Sequence, residues 1–232
     1  MATTGTYNFF PSTGEIVLMA YGRLQLRRSE LTQQHMIDAF NEANFLQVEF
    51  SNRQPNLFVS SLTEIELVPE QATYTLDPTL ICFMAVFLRT NDDNGTPIDR
   101  ILSPLSTYEY AALPNKTVMA PPNQYWFNRQ ITPEITLWPV PDETQSYTLV
   151  LRYLRQIEDA SLVNGTMPQI PYRWIDAFVA GLAARLAQIY APEKAQVLDA
   201  KAERAWLIAA KEDTEDVPIF VQPQLSYYSG GY

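Results

Sequence analysis

The 232-residue chain carries 26 acidic and 16 basic side chains, a formal net charge of −10, with 47% hydrophobic and 12% aromatic residues. That composition excludes general disorder and supports a sizeable core, arranged as one large domain or two small ones. An acidic balance excludes binding to a phosphate backbone by counterion release, which needs clustered Lys and Arg, and no apolar run reaches the ~18 residues of a membrane-crossing helix.

Met1-Ala2-Thr3-Thr4-Gly5 lacks the basic region and apolar stretch of a signal peptide, so the expectation is a chain kept in the cytoplasm. Residues 1–11 are polar and aromatic, end in Phe9-Phe10-Pro11, and read as an extended N-terminal arm. Ser12-Thr13-Gly14-Glu15 has capping-box spacing: a hydroxyl for the N3 amide, and a glutamate that reaches back. Ile16, Val17, Met19 and Ala20 then begin a short helix whose face Leu24 extends. Arg23, Arg27 and Arg28 cluster where it ends, either complementing the helix C-terminus or meeting an acidic partner. Leu31-Thr32 opens the next helix, with Met36, Ala39, Phe40, Ala43, Leu46 and Phe50 at steps of three or four, ending near Asn52 before Pro55.

The middle of the chain, 57–170, has a different grain and reads as an inserted antiparallel β module. Leu62–Val68 partly alternates, Ala72–Leu76 ends at Asp77-Pro78, and Ile81–Leu88 is a denser apolar run; all three are strand candidates. Asn91-Asp92-Asp93-Asn94-Gly95 reads as a turn. Its aspartates resemble a calcium loop, but the liganding spacing and terminal glutamate are absent. A short helix at Leu105–Tyr110 and strands at Gln124–Arg129, Glu134–Trp138 and Ser146–Arg155 follow, with a rigid turn at Pro139-Val140-Pro141-Asp142. The module holds 13 acidic and 6 basic side chains, most of the chain's excess charge.

Two long helices come next. Pro171-Tyr172-Arg173-Trp174 opens the first, where proline's missing N–H costs nothing. Ile175, Val179, Leu182, Leu186 and Ile189 form its apolar stripe, widened by Trp174, Phe178 and Tyr190, and Ala191-Pro192 stops it. The second carries Leu198, Ala202, Ala205 and Ala209, with charge on the rest of its surface. Small residues, Ala183, Ala184 and Ala187 on one helix and Ala200 and Ala202 on the other, allow close approach. The fold class is therefore α+β: a bundle of N- and C-terminal helices, 12–56 and 171–216, with a β module inserted between them and extended arms at both ends. The C-terminal arm, 217–232, holds no charge and its two prolines forbid a helix; it reads either as a frayed terminus or, through Phe220, Leu225, Tyr227, Tyr228 and Tyr232, as an extended arm docking on a partner.

Chemistry is scarce. With one histidine (His35) and one cysteine (Cys82), triads and metal cages have no residues to build them, and no phosphate-binding glycine loop is present. The expectation is no enzyme, no metal and no cofactor, with His35 as a surface or partly buried helix residue and Cys82 as buried filler. The carboxylate pairs Glu64/Glu66, Asp92/Asp93 and Asp142/Glu143 are the remaining acid–base option, read as solvated strand ends and turns. Tyr125, Trp126, Phe127 and Trp138 are either strand core or a sugar-stacking platform.

Asp99-Arg100-Ile101-Leu102-Ser103-Pro104-Leu105-Ser106-Thr107-Tyr108-Glu109-Tyr110, then Leu113-Pro114-Asn115-Lys116, begins a string with a family likeness. It runs on through Gln124–Gln130, Leu137–Asp142, Tyr153–Asp159 and Pro171–Ala191 with Gly181-Leu182-Ala183-Ala184-Arg185-Leu186-Ala187. Over most of residues 12–216 the chain resembles the adaptor, or head-to-tail connector, proteins of short-tailed bacteriophages. The resemblance implies a dodecameric ring beneath the portal protein, at the head–tail junction of the virion and in the host cytoplasm during assembly. DNA would pass through the ring without specific binding, tail nozzle or tail-tube proteins would dock below, and no membrane would be involved. The C-terminal arm would reach the portal or a neighbouring subunit. The alternative is a carbohydrate-binding or other tail-associated virion β module.

Overall fold

The structure, a computed structural model, describes residues 4–53, 57–92, 94–161 and 165–213. Residues 4–11 have no regular secondary structure. Helix α1 (Thr13–Arg23) starts on the predicted capping box: the Ser12 N–H donates to Glu15 Oε2 at 2.8 Å, and the Glu15 N–H donates to Ser12 Oγ at 3.4 Å. The Ser12 amide first, and next its hydroxyl, which donates to Glu15 Oε2 at 3.0 Å, hold the Glu15 carboxyl below the usual carboxylate range. Helix α2 (Gln33–Arg53) buries Ala39, Ala43, Leu46 and Phe50, as its spacing predicts.

The middle of the chain forms strands β1 (Ser60–Glu66), β2 (Thr73–Thr75), β3 (Leu80–Asn91), β4 (Pro97–Ile101) and β5 (Ser103–Leu105). A short helix α3 (Thr107–Ala112), capped by Ser106 and Glu109, leads into β6 (Gln124–Asn128), β7 (Glu134–Trp138) and β8 (Thr148–Arg155). They pair as two four-stranded sheets, β1-β8-β3-β4 and β2-β7-β6-β5. Val86, Leu88, Leu149 and Leu151 of the first sheet share one core with Tyr74, Tyr125, Ile135 and Leu137 of the second. The expected antiparallel pattern holds for the strands except that β5 runs parallel to β6, a pairing two short segments flanking α3 can reach by crossing over that helix, and an isolated parallel bridge joins Met119 to Val140. The β3–β4 turn forms where Asn94-Gly95 predicts it, with Gly95 at φ +79°, a conformation that suits glycine.

Across the outer face of the first sheet, Arg89 on β3 joins strands on both sides. Its Nε and Nη2 donate to the Asp99 carboxylate on β4 at 2.7 and 2.9 Å, and its Nη1 donates to Glu64 on β1 at 2.5 Å. The Arg89 hydrogen bonds hold the Asp99 carboxyl below the usual range. A carboxylate whose folded value is depressed adds stability above its unfolded value, about pH 4, and loses it as pH falls through the folded value. Wild type should therefore melt above Arg89→Gln at neutral pH, with the two curves converging as pH falls through the folded value. Equal melting temperatures at neutral pH would show that this clamp contributes nothing.

The chain then returns to the helices. Helix α4 (Ile175–Tyr190), preceded by a 3-10 turn at Tyr172–Trp174, and α5 (Pro192–Glu212) are split at Ala191-Pro192 as predicted. Ile175, Val179, Leu182 and Leu186 are buried, but Ile189, expected in the same stripe, is exposed at the helix end. The sequence suggests one stripe on α4; the structure buries it on nearly every side, because α1, α2 and α5 all pack on it. Small residues permit this. A Cβ on Gly181 would stand 2.8 Å from a Leu46 methyl carbon of α2, so the two backbones approach at a glycine. Ala183 and Ala187 are buried against the neighbours as expected, whereas Ala200 of α5 faces outward. No described helix is long and apolar enough to cross a membrane.

Candidate functional site

The three arginines at the end of α1 are divided by the structure. Arg23 is the last residue of the helix, and its Nη2 donates to Asp176 Oδ1 in the first turn of α4 at 2.6 Å. That pair fastens α1 to α4 and leaves Arg23 partly screened from a partner. Arg27 and Arg28 lie four and five residues beyond the helix, so complementing its C-terminal dipole, which fades within the last turn, explains only Arg23. The carbonyl of Leu24 is instead met by Lys194 of α5, whose Nζ donates to it at 2.8 Å and to Gln25 Oε1 at 3.0 Å. Arg27 and Arg28 are exposed, and neither makes an ion pair within hydrogen-bonding range among the described residues. Arg28 acts on Glu15 only as a weak, longer-range charge.

Arg23 also stands between two surface clefts. One, of about 540 Å³, opens between Phe9, Met19, Tyr172 and Val179; the other, of about 330 Å³, between Ala180, Leu198 and Lys201. Phe220, Leu225, Tyr227, Tyr228 and Tyr232 lie outside the described residues. The described chain ends at Asp213, whose buried carboxylate pairs with Arg173 beside the start of α4.

One carboxylate of each candidate catalytic pair is engaged by its surroundings, while Glu66 and Glu143 are exposed. Glu64 is held by Arg89, Asp92 Oδ1 accepts the amides of Asn94 and Thr96 at 2.9 and 2.7 Å, and Asp142 Oδ1 accepts the hydroxyls of Thr144 and Tyr147 at 2.7 Å each. Asp93 lies outside the described residues. The aromatics of the 120s form no open platform. Tyr125 is buried, Phe127 packs on Phe83 at 4.6 Å, and Trp126 stacks on Tyr110 at 4.9 Å. His35 is half-buried, stacked at 4.3 Å on Tyr190 and 2.7 Å from the Thr32 hydroxyl. Cys82, expected as buried filler, is only half-buried on β3.

Sequence reasoning missed the charged network joining α2, α4 and α5. Arg185 on α4 donates to Glu42 at 3.0 Å and to Glu49 at 2.7 Å, both on α2. Arg53 reaches from α2 to Glu203 on α5 at 2.6 Å and lies 3.7 Å over the Trp206 ring. The seven-residue spacing of Glu42 and Glu49, two turns along one helix face, was the available signal; nothing local pointed to Arg185. The network sets the angles of the helices rather than a reactive centre.

A family model described as "SU10 adaptor protein" matches residues 17–222, which span α1 to α5 with the whole β module between them. No curated protein matches the chain significantly.

Proposed function

We propose, from the premise that the chain belongs to the SU10 adaptor protein family and is a phage adaptor, that it assembles as a homo-oligomeric ring under the portal. In that ring it joins head to tail, lines the path of the DNA and presents a docking surface to tail nozzle or tail-tube proteins. The observation that carries this reading is the family match across the helical bundle and the β module together. Two properties of the chain support it. The bundle is a rigid strut built around a buried α4, with its charged residues cross-linking helices. The acidic excess in 57–170 suits a channel wall along which a polyanion slides without sticking. A ring of twelve subunits is the stoichiometry that the adaptor likeness suggests.

Electron microscopy of the purified chain with and without portal rings tests this. The expected result is a ring of added density on one face of the portal. Portal rings that stay bare at saturating adaptor would overturn it.

Arg27 and Arg28 are the cations this reading assigns to an acidic partner surface, with Phe220, Leu225, Tyr227, Tyr228 and Tyr232 as the apolar and aromatic contacts of the arm. The double variant Arg27→Gln/Arg28→Gln should weaken portal association on the order of several-fold, since exposed pairs contribute ~0.2–1 kcal/mol each. The same loss should appear in wild type as salt rises and screening shortens to below ~8 Å. Arg23→Gln should instead lower thermal stability and leave association near wild type. Sedimentation at two salt concentrations separates these results; indistinguishable binding by the double variant and wild type at low salt removes the two arginines from the interface.

A further inference from the structure

Two helices of the bundle carry apolar residues on both faces. The inner face of α2 packs on α4, yet Ile37, Phe45 and Val48 on its outer face are 44, 58 and 57% exposed. The inner face of α5 also packs on α4, while Val197, Leu207 and Ile208 on its outer face are 58, 55 and 60% exposed. At ~100° per residue each set lies roughly opposite the buried side of its helix. Ile37, Phe45 and Val48 stand eight and three residues apart, and Val197, Leu207 and Ile208 ten and one, so each set forms a seam about 16 Å long with polar residues between its anchors. Both sets lie on faces turned away from α4, so the two seams are separate surfaces of the bundle.

The charged residues beside the two seams differ, although α5 also carries Asp199 and Glu203 between its anchors, the latter paired with Arg53. Between Gln33 and Asn52, α2 carries Asp38, Glu42 and Glu49 and no Lys or Arg; Glu42 and Glu49 also pair with Arg185 of the same chain, and Asp38 accepts from Tyr190. The outer face of α5 carries Lys201 and Arg204, both exposed and neither in an ion pair among the described residues. Beside the α2 seam, Phe45, Val48 and Ile131 line a groove of about 760 Å³ between the bundle and the β module. Gln47, 4% exposed, also lines it and has an Nε2 with no hydrogen-bond partner.

We infer that the α2 seam of one copy of this chain receives the α5 seam of the next copy, making the lateral contact of the ring. The inference rests on the ring reading above and supplies its interface. A closed ring requires two different, mutually complementary surfaces on each subunit, a heterologous contact repeated around the axis. The α2 and α5 seams meet that requirement: equal in length, apolar at both ends, one flanked by carboxylates and the other carrying unpaired cations. Lys201 and Arg204 then face the acidic side of α2, and Val197, Leu207 and Ile208 cover Ile37, Phe45 and Val48.

Phe45→Glu and Ile208→Glu test the inference, since both side chains already face solvent and the monomer should stay folded by circular dichroism. Mass photometry of wild type, alone and on portal rings, should show closed oligomers. Each variant should lose them and remain monomeric in solution. Mixing the two variants should restore one contact, because each retains one intact seam, and yield a 1:1 heterodimer that cannot grow. Ile101→Glu, on an exposed strand away from both seams, should assemble as wild type does. Variants that assemble at wild-type yield, or a mixture that stays monomeric, overturn the α2–α5 contact while the ring stands. A wild-type chain that stays monomeric both alone and on portal removes the ring and the contact with it.

Discussion

Replacing Leu182 by aspartate should unfold the helical bundle. Leu182 is fully buried in the middle of α4, in a core shared with Ile16, Leu46, Phe178 and Trp174. An unpaired carboxylate placed there costs several kcal/mol, against a total stability of ~5–15 kcal/mol for a typical domain. The position gives no escape route: the helix is covered on the sides facing α1, α2 and α5, so the charge cannot turn toward water. Leu182→Ala, which leaves a cavity but no charge, should cost ~2–5 kcal/mol and still give a folded chain with a lower melting temperature. Far-ultraviolet circular dichroism at 25 °C and thermal melts distinguish the three proteins. A Leu182→Asp chain with wild-type helicity and melting temperature would show that this position is not core.

Deleting Val217–Tyr232 should abolish stable portal association while leaving the bundle intact. Among the described residues, Ala209 and Ala210 are the last buried apolar residues of the helical core, and Asp213 is tied back to Arg173. The Arg23–Asp176, Arg185–Glu42, Arg185–Glu49 and Lys194–Leu24 bonds that tie the helices together all lie before the deleted segment. The truncated chain should therefore keep its helicity and its melting temperature. What it loses is an uncharged segment with two prolines, a phenylalanine, a leucine and three tyrosines, the composition of a docking strand. Co-sedimentation with portal rings measures the effect: loss of the bound fraction is expected, and unchanged affinity would mean that the arm takes no part in portal binding.

Much of the fold is legible in the sequence because its signals are local. The Ser12–Glu15 cap, the Ala191-Pro192 break, the Asn94-Gly95 turn and the strand at Glu134–Trp138 each depend on residues a few positions apart. Capping, proline sterics and side-chain alternation act over that range, so the elements follow from the chain itself. The identification of a phage adaptor was likewise available from the motifs along 99–191, which lie inside the matched region.

The tertiary structure alone decided which surfaces these elements meet. Arg23 and Asp176 are 153 residues apart, and Lys194 and Leu24 are 170 apart, so no spacing rule pairs them. The Arg23–Arg27–Arg28 cluster therefore looked uniform in sequence, although Arg23 is paired with Asp176 and the other two make no ion pair among the described residues. Periodicity had a similar limit on the helices. It located the buried face of α5 from Leu198 and Ala209 and left Val197, Leu207 and Ile208 as incidental, because a stripe shows where one neighbour packs but not how many neighbours there are. With α1, α2 and α5 surrounding α4, the central helix is buried on nearly every side, while α2 and α5 each keep an apolar face toward solvent. Which apolar residues are covered depends on that count of neighbours, and the count is set by packing across the whole chain.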